Sequence, residues 1–430
     1  MQNVENMIPI NYIKSNKEEV LARLEKRGPQ YLDLLEKVLK TDFERRQTQQ
    51  NRDTVLEQAN ALAKEIGICF KNGEHDKGNA LKVKTQSLKE ESKRLEEALR
   101  ALEEKMRNEL SAIPNMPHDK VPKGFSENDN IVERVWGEAL QNTDGFLCHW
   151  DLAAKYDLID FETGVKITGA GFPLYKGKGA KLQRALINFF LDQAELQGYL
   201  EVQPPIMINE ESGFGTGQLP DKEGQMYYVE KDNMYLIPTA EVPLTNIYRN
   251  AILTEDELPI KITAYTPCFR REAGSYGKHV RGLNRLHQFD KVEIVQISHP
   301  DNSYNTLEVM CSYVSGLLEK IGLHHRVLRL CAGDLGFASA CTFDMEVYSE
   351  AQKRWLEVSS VSNFEYYQSN RLQLRYKSKV NNKKELVHTL NGSALALPRV
   401  LAALLENNQT PEGIRIPEVL VPYTGFEMIE

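Results

Sequence analysis

Residues 268–296 read CFRREAGSYGKHVRGLNRLHQFDKVEIVQ. The stretch begins as a strand, breaks into a loop at Gly274, Gly277 and Gly282, and ends as a strand again. It gathers Arg270, Arg271, Lys278, Arg281, Arg285 and Lys291 with Glu272, Asp290 and Glu293. So many opposed charges on one hairpin suit either a solvated surface or a site that handles a phosphate group and a zwitterion together.

Further β-like runs surround this hairpin, at 172–175, 200–208, 226–229, 234–237, 262–271, 289–297, 343–347 and 355–360. Most follow one another without helices between, so the expected sheet is largely antiparallel and the fold α+β, not doubly wound. Residues 180–196 place Leu182, Leu186, Phe189, Phe190 and Ala194 on one face of an amphipathic helix.

The first quarter of the chain differs. Residues 1–110 hold 21 Lys/Arg and 20 Asp/Glu, nearly neutral in sum but dense in charge. Leu56, Ala59, Ala63 and Ile66 form one heptad-like seam, and Leu88, Leu95, Leu99, Leu102 and Met106 another. The turn-rich stretch 70–79 separates them, which predicts an antiparallel coiled-coil hairpin over about 31–110 in a domain of 1–111. Asp42, Arg45, Gln49 and Arg52 make the first seam polar in its middle, so a loosely held section is expected there. Such a hairpin serves either as a dimerisation coil or as an arm reaching a partner. The run AIPNMPHDKVPKG, 112–124, reads as an extended linker, and 125–430 as the second domain.

The 430 residues are 41% hydrophobic and 27% charged with a net charge of -8. Bulk charge therefore argues against generic nucleic-acid binding but leaves room for a local basic surface. No apolar run approaches the roughly 18 residues of a membrane span. The six cysteines form no C-x-x-C pair, and no paired Cys/His spacing predicts zinc. With no secretory signal in the opening residues, a cytoplasmic protein is expected. Neither G-x-x-x-x-G-K-[ST] nor G-x-G-x-x-G after a strand occurs, so side chains must hold any nucleotide phosphates. His324 and His325 read as surface or packing residues.

Phe269-Arg270-x-Glu272, the loop, Arg281-Gly282 and His287-Gln288-Phe289-x-Lys291-Val292-Glu293 closely resemble motif 2 of the class II aminoacyl-tRNA synthetases, in its seryl version. GYLEVQPPIMI at 198–208 resembles motif 1, and HTLNGSALALPRVLAALLE at 388–406 resembles motif 3. PTAEVPLTN at 238–246 and WLEVSSVSNFEYYQSNR at 355–371 resemble that family's serine- and ATP-binding strands. The likeness covers nearly the whole chain in the expected order. Ala394, Ala396 and Pro398 stand where motif 3 usually has glycines and an acid; His279 and Val361 also depart from the common pattern.

The resemblance implies a serine–tRNA ligase that forms seryl-adenylate from L-serine and ATP, then loads tRNA(Ser) and, where present, tRNA(Sec). It implies Arg270 and Arg399 as the catalytic cations. Thr239, Ala240, Glu241, Arg270, Glu293, Asn391 and Ser393 would bind serine. Arg270, Arg271, Glu272, Phe289, Glu357, Val358, Ser359, Ser360 and Arg399 would bind ATP, with Glu357 and Ser360 holding Mg²⁺. Motif 1, within 180–208, would form a homodimer, and the helical arm would bind tRNA. A ligase acting on carrier proteins generally lacks such an arm. An inactive copy would have lost at least one of Arg270, Glu272, Glu293, Glu357 or Arg399, and all five are present.

Overall fold

The computed structural model describes residues 10–272 and 280–430. Lys278, His279 and the two loop glycines before them lie outside this range. The chain divides into two compact units, Met1–Pro114 and Asn115–Glu430.

The first unit is built around two long antiparallel helices, α1 (Gln30–Lys71) and α2 (His75–Ser111). The 42 residues of α1 extend about 60 Å at roughly 1.5 Å per residue. The turn is shorter than the composition of 70–79 suggests, because α2 already begins at His75 and absorbs Gly78. A Cβ on Gly78 would come 2.9 Å from the Phe70 ring, so glycine here lets the two helices close at the tip. On α2 the most buried row is Gly78, Thr85, Ser92, Leu99 and Met106, a strict seven-residue repeat. The expected Leu88, Leu95 and Leu102 flank it, half-buried. On α1 the seam falls on Val55, Ala59 and Cys69, while Leu56 and Ala63 are exposed. Apolar residues at 55 and 56, and again at 62 and 63, satisfy both 3-4 and 4-3 spacing, so only packing selects the row. Asp42 is not loosely held. It is buried and receives Lys14 Nζ at 2.9 Å, Arg45 Nη2 at 3.0 Å and Arg46 Nε at 3.1 Å. Burial alone would raise its pKa, but Lys14 and Arg45 together bring it below the usual carboxylate value.

The second unit is an eight-stranded sheet of β1 (Ile131–Trp136), β2 (Leu200–Glu201), β3 (Ile260–Phe269), β4 (Gln288–Ser298), β5 (His325–Arg329), β6 (Cys341–Ser349), β7 (Arg354–Asn363) and β8 (His388–Ala396). The spatial order is β1-β5-β6-β7-β8-β4-β3-β2. Every pairing is antiparallel except β2 with β3. The run 200–208 is not one strand: Pro204 and Pro205 remove two ladder donors, leaving Leu200–Glu201 and Met207–Ile208 as separate pieces. Strand β1, which the sequence pattern does not signal, is an edge strand exposed at all six positions. Among its helices, α3 (Gly177–Leu196), α4 (Glu241–Asn246), α5 (Ser303–Lys320) and α6 (Leu397–Asn407) pack against this sheet. Leu186 and Phe190 of α3, Val314 and Leu317 of α5, and Leu401 and Leu404 of α6 join one core cluster with Ile294 of β4 and Val361 of β7. The expected linker splits in character from Asn115 onward. Asn115 Nδ2 donates to the carbonyls of Ala338 and Phe364 at 2.9 and 2.8 Å, and Val121 enters the core. His325 is buried, with Nε2 2.8 Å from Ser315 Oγ, while its neighbour His324 is half-buried.

Candidate active site

The long hairpin β3–β4 and strand β8 carry the centre of the site. β4 lies opposite β8 with Glu293 facing Ser393 and Val295 facing Asn391. Alternation puts Glu293, Asn391 and Ser393 on one face of the sheet. Glu241, at the start of α4, meets that face. Asn391 Nδ2 donates to Glu241 Oε2 at 3.0 Å and to Glu293 Oε1 at 2.9 Å, bridging two buried carboxylates. Gln368 Nε2 donates to Glu241 Oε1 at 2.6 Å and is oriented by Thr389, whose hydroxyl donates to Gln368 Oε1 at 2.7 Å.

Two buried acids need a cation, and Lys291 is it. Lys291 is itself buried; its Nζ donates to Thr239 Oγ1 at 2.8 Å and lies 2.6 Å from Glu293 Oε2. That ion pair engages one lone pair of Glu293 Oε2 and leaves the other with no further donor among the described residues. Lys291 and the half-buried Arg270 do not offset the burial of the two acids. Burial first, and the Glu293 charge second, push the Glu241 carboxyl up to about 7 against the pull of Gln368, Lys291 and Arg270. Such a pocket presents oxygen acceptors to an ammonium group and one spare acceptor to a hydroxyl. Ala240 is fully buried, so only its backbone is available there.

Arg270 lies beside this pocket, half-buried, with Nε donating to the Pro238 carbonyl at 3.3 Å. Its guanidinium stands 5.3 Å from the centre of the Phe289 ring, which puts the expected phosphate clamp next to the expected base-stacking face. Arg271 is exposed, and its backbone N–H donates to the Gln225 carbonyl at 2.8 Å. The Glu272 carboxylate accepts from Arg285 Nε, and its backbone N–H donates to Gln225 Oε1 at 3.0 Å. Glu272 is therefore occupied by Arg285 in this state.

Arg399 sits in the first turn of α6, just after Pro398, a residue that suits a helix start. Its Nε donates to the Asn284 carbonyl at 2.9 Å and its Nη1 to the Glu357 carbonyl at 2.9 Å, with the Glu357 carboxylate 3.7 Å away. Glu357 is exposed on β7. The structure does not bring the side chains of Val358 and Ser359 to the site. Val358 is core, and the Ser359 hydroxyl donates to the Ser393 carbonyl at 2.5 Å. Val358 is an extra residue at a register shift in β7, so Ser359 pairs with buried Met345 on the opposite face, while Glu357 and Ser360 fall on the face of Glu346 and Asp344. Ser360 instead bonds the Asp344 carboxyl across the β6–β7 pair.

Asp344 escaped the sequence reading. It alternates with Phe343 and Met345 on a strand that also carries Glu346, so in sequence it reads as one of two solvent-facing acids. Burial first, then the Glu357 charge, hold its pKa well above the usual carboxylate range, and its Oδ1 is buried without a partner. Asp344, Ser360 and Glu357 are hard oxygen donors of the kind Mg²⁺ takes, and the orphaned oxygen fits such an ion. Among the described residues no cluster of three or more His, Cys, Asp or Glu side chains has metal-site geometry. Lys291, Gln368 and Arg285 also went unassigned from sequence. Charged or amide side chains on strands read as solvated until the tertiary fold buries them.

Two family models match the chain: the tRNA synthetase class II core domain (G, H, P, S and T) over residues 227–408, and the seryl-tRNA synthetase N-terminal domain over residues 7–117. The serine–tRNA ligase of Salinibacter ruber is 48% identical over 98% of this chain and 99% of its own. That of Akkermansia muciniphila is 46% identical over 98% and 99%. Among solved structures, the seryl-tRNA synthetase of Pyrococcus horikoshii complexed with ATP superposes with a TM-score of 0.91 at 34% identity, covering 98% of this chain and 99% of that one. The cytoplasmic serine–tRNA ligase of Naegleria fowleri in complex with AMP gives 0.87 at 26% identity, covering 99% of each.

Proposed function

The chain belongs to the seryl-tRNA synthetase family of class II, and on that premise we propose that it activates L-serine with ATP and transfers it to tRNA(Ser). The observation that carries the substrate assignment is the buried pair Glu241 and Glu293, bridged by Asn391 and served by one lysine. Serine's ammonium goes to Glu241 and Thr239. Its hydroxyl donates to the lone pair of Glu293 Oε2 that Lys291 leaves, with Ser393 alongside. A buried acceptor left without a donor penalises alanine, and this is how polar sites reject apolar analogues.

In the first step a serine carboxylate oxygen attacks the α-phosphorus, the bond to the β-phosphate oxygen breaks, and pyrophosphate leaves. Arg270 lies between the two anions and meets charge as it grows on the α-phosphate. Phe289 stacks on adenine. Glu272 accepts from the adenine amino group once Arg285 gives way, and Arg399 holds the γ-phosphate. Glu357 and Ser360, with Asp344 behind them, would hold Mg²⁺, which supplies charge neutralisation to the phosphates. In the second step a terminal ribose hydroxyl of tRNA attacks the serine carbonyl, AMP departs, and the proton passes to the departing phosphate. By family resemblance tRNA(Sec), where present, is a second acceptor, and the setting is the cytoplasm.

We also assign tRNA selection to the helical arm and dimerisation to 180–208. Exposed Leu196 and Leu200 support an apolar interface in that region. On the arm Arg45 and Arg46 are engaged by Asp42, which leaves exposed Lys64, Lys84 and Lys89 among those suited to phosphate contacts. Pyrophosphate exchange measured across the twenty amino acids tests the activity, with serine expected to stimulate best. Replacing 31–110 by a short linker should leave exchange intact and abolish charging. Normal charging by the truncated protein would make the arm a structural coil.

A further inference from the structure

His149 opens a short helix, His149–Lys155, and lies fully buried against α6. Its Nε2 is 2.8 Å from the backbone N of Leu283, which immediately follows Gly282 at the exit of the β3–β4 loop. A backbone N–H can only donate, so Nε2 is the acceptor and the ring proton sits on Nδ1. That proton points at Glu406 Oε1, 2.6 Å away, and Glu406 is equally buried. The carboxylate is fixed in turn. It accepts from the His149 backbone N–H at 2.9 Å, from Gln352 Nε2 at 2.9 Å and from the Ser349 hydroxyl. Gln352 then reaches forward, its Oε1 accepting from Asn284 Nδ2 at 3.0 Å. The carbonyl of that same Asn284 accepts from Arg399 Nε at 2.9 Å. Gly282 adopts φ +67, and a Cβ there would come 2.2 Å from His149 Nε2, so the imidazole and the loop exit are in closest packing.

We infer that His149, held in its Nδ1–H form by Glu406, is a positioning residue that fixes Leu283–Asn284 and through the Asn284 carbonyl aims Arg399 at the nucleotide phosphates. The inference rests on the reading of Arg399 as an ATP ligand. Serine contacts lie on other residues, so the effect belongs to ATP and to turnover. Misplacing a reacting or phosphate-binding group by about 1 Å costs on the order of 10²-fold in rate.

The histidine separates into its two functions by substitution. In His149→Gln the side-chain oxygen occupies the place of Nε2 and still accepts from Leu283. In His149→Asn the side-chain nitrogen occupies the place of Nδ1 and still donates to Glu406, but the acceptor for Leu283 is gone. In serine-dependent pyrophosphate exchange by the full chain, His149→Asn should lower kcat about 10-fold or more and raise the KM for ATP, with the KM for serine nearly unchanged. His149→Gln should recover most of the loss. Equal impairment of the two variants, or a loss confined to melting temperature, overturns the inference. If the asparagine variant does not fold, amide exchange in the unaltered protein decides. Strong protection at Leu283 supports the bond, and rapid exchange there overturns it. Arg399→Ala run in parallel separates the two readings. If it leaves kcat and the KM for ATP untouched, the ATP assignment of Arg399 fails and the inference with it. If it is damaging while the two His149 variants match each other, only the positioning role fails.

Discussion

At the end of the site proposed for the amino acid, Glu241, Glu293 and Lys291 are all buried and joined through Asn391 and direct ion pairing. At the end proposed for the nucleotide, Arg271 and Glu357 are exposed, and Arg399 is half-exposed. A small zwitterion must be told from close relatives by a few atoms, and buried polar groups supply that because each unmet bond is penalised in full. A triphosphate brings its own charge, so cations that remain partly hydrated until it arrives are sufficient, and the pocket can stay open to a large ligand. The two ends therefore differ in what mutation should remove: selectivity at one, rate and nucleotide affinity at the other.

The largest change is expected for Glu293→Ala. Losing this acceptor should cut the serine-to-alanine ratio of kcat/KM by up to about 10⁴-fold, the discrimination a site built around a hydroxyl achieves. An unchanged ratio would show that another residue reads the hydroxyl. Next comes Arg270→Ala, which should reduce kcat by about 10²-fold or more while the KM for serine moves little. Near-normal kcat would break the division of labour between the two ends.

A smaller effect follows from acidity. Burial, and then the Glu293 charge, push Glu241 up to about 7 against Lys291 and Arg270, which also face it. Serine's ammonium needs the carboxylate, so the KM for serine should fall as pH rises towards about 7 and level off above it; below, it should rise by up to about tenfold per pH unit. The same shift makes the folded protein without serine retain a proton that the unfolded chain has lost between pH 4.5 and about 7. Stability therefore declines across that window, on the order of 3 kcal/mol in all. Glu241→Gln should remove both the bend in KM and this share of the decline, and a bend that persists would place the titration elsewhere. The smallest effect is at exposed Glu357. Glu357→Gln should leave the melting free energy within about 0.5 kcal/mol of the parent and raise the KM for ATP when Mg²⁺ is limiting. A large loss of stability would show that this end is built like the other.

Much of the architecture was legible because it rests on local patterning. Alternation in 262–271 and 289–297 anticipates β3 and β4 nearly to their ends, and the seam leucines anticipate two antiparallel helices. Edge strand β1 was not legible, since it buries none of its residues and so leaves no apolar alternation to find. The site was half legible. Glu241, Asn391 and Glu293 meet through hydrogen bonds, and Arg270 lies against Phe289, as their types allow. Val358 and Ser359 share a strand with Glu357 but face or bond elsewhere.

By itself the sequence determined the two-helix arm, the mostly antiparallel sheet and the residue types that meet a serine and a triphosphate, because hydrophobic period and charge are properties of the chain. Only the tertiary structure decided which heptad row of the arm is buried, that Lys291 turns inward to neutralise Glu293, that Asp344 lies behind Glu357, and that His149 meets Glu406 across 257 positions. Each of these depends on burial, and burial is decided by what packs on the other side. An acid or lysine on a strand looks the same in sequence whether water or a second charged side chain lies against it.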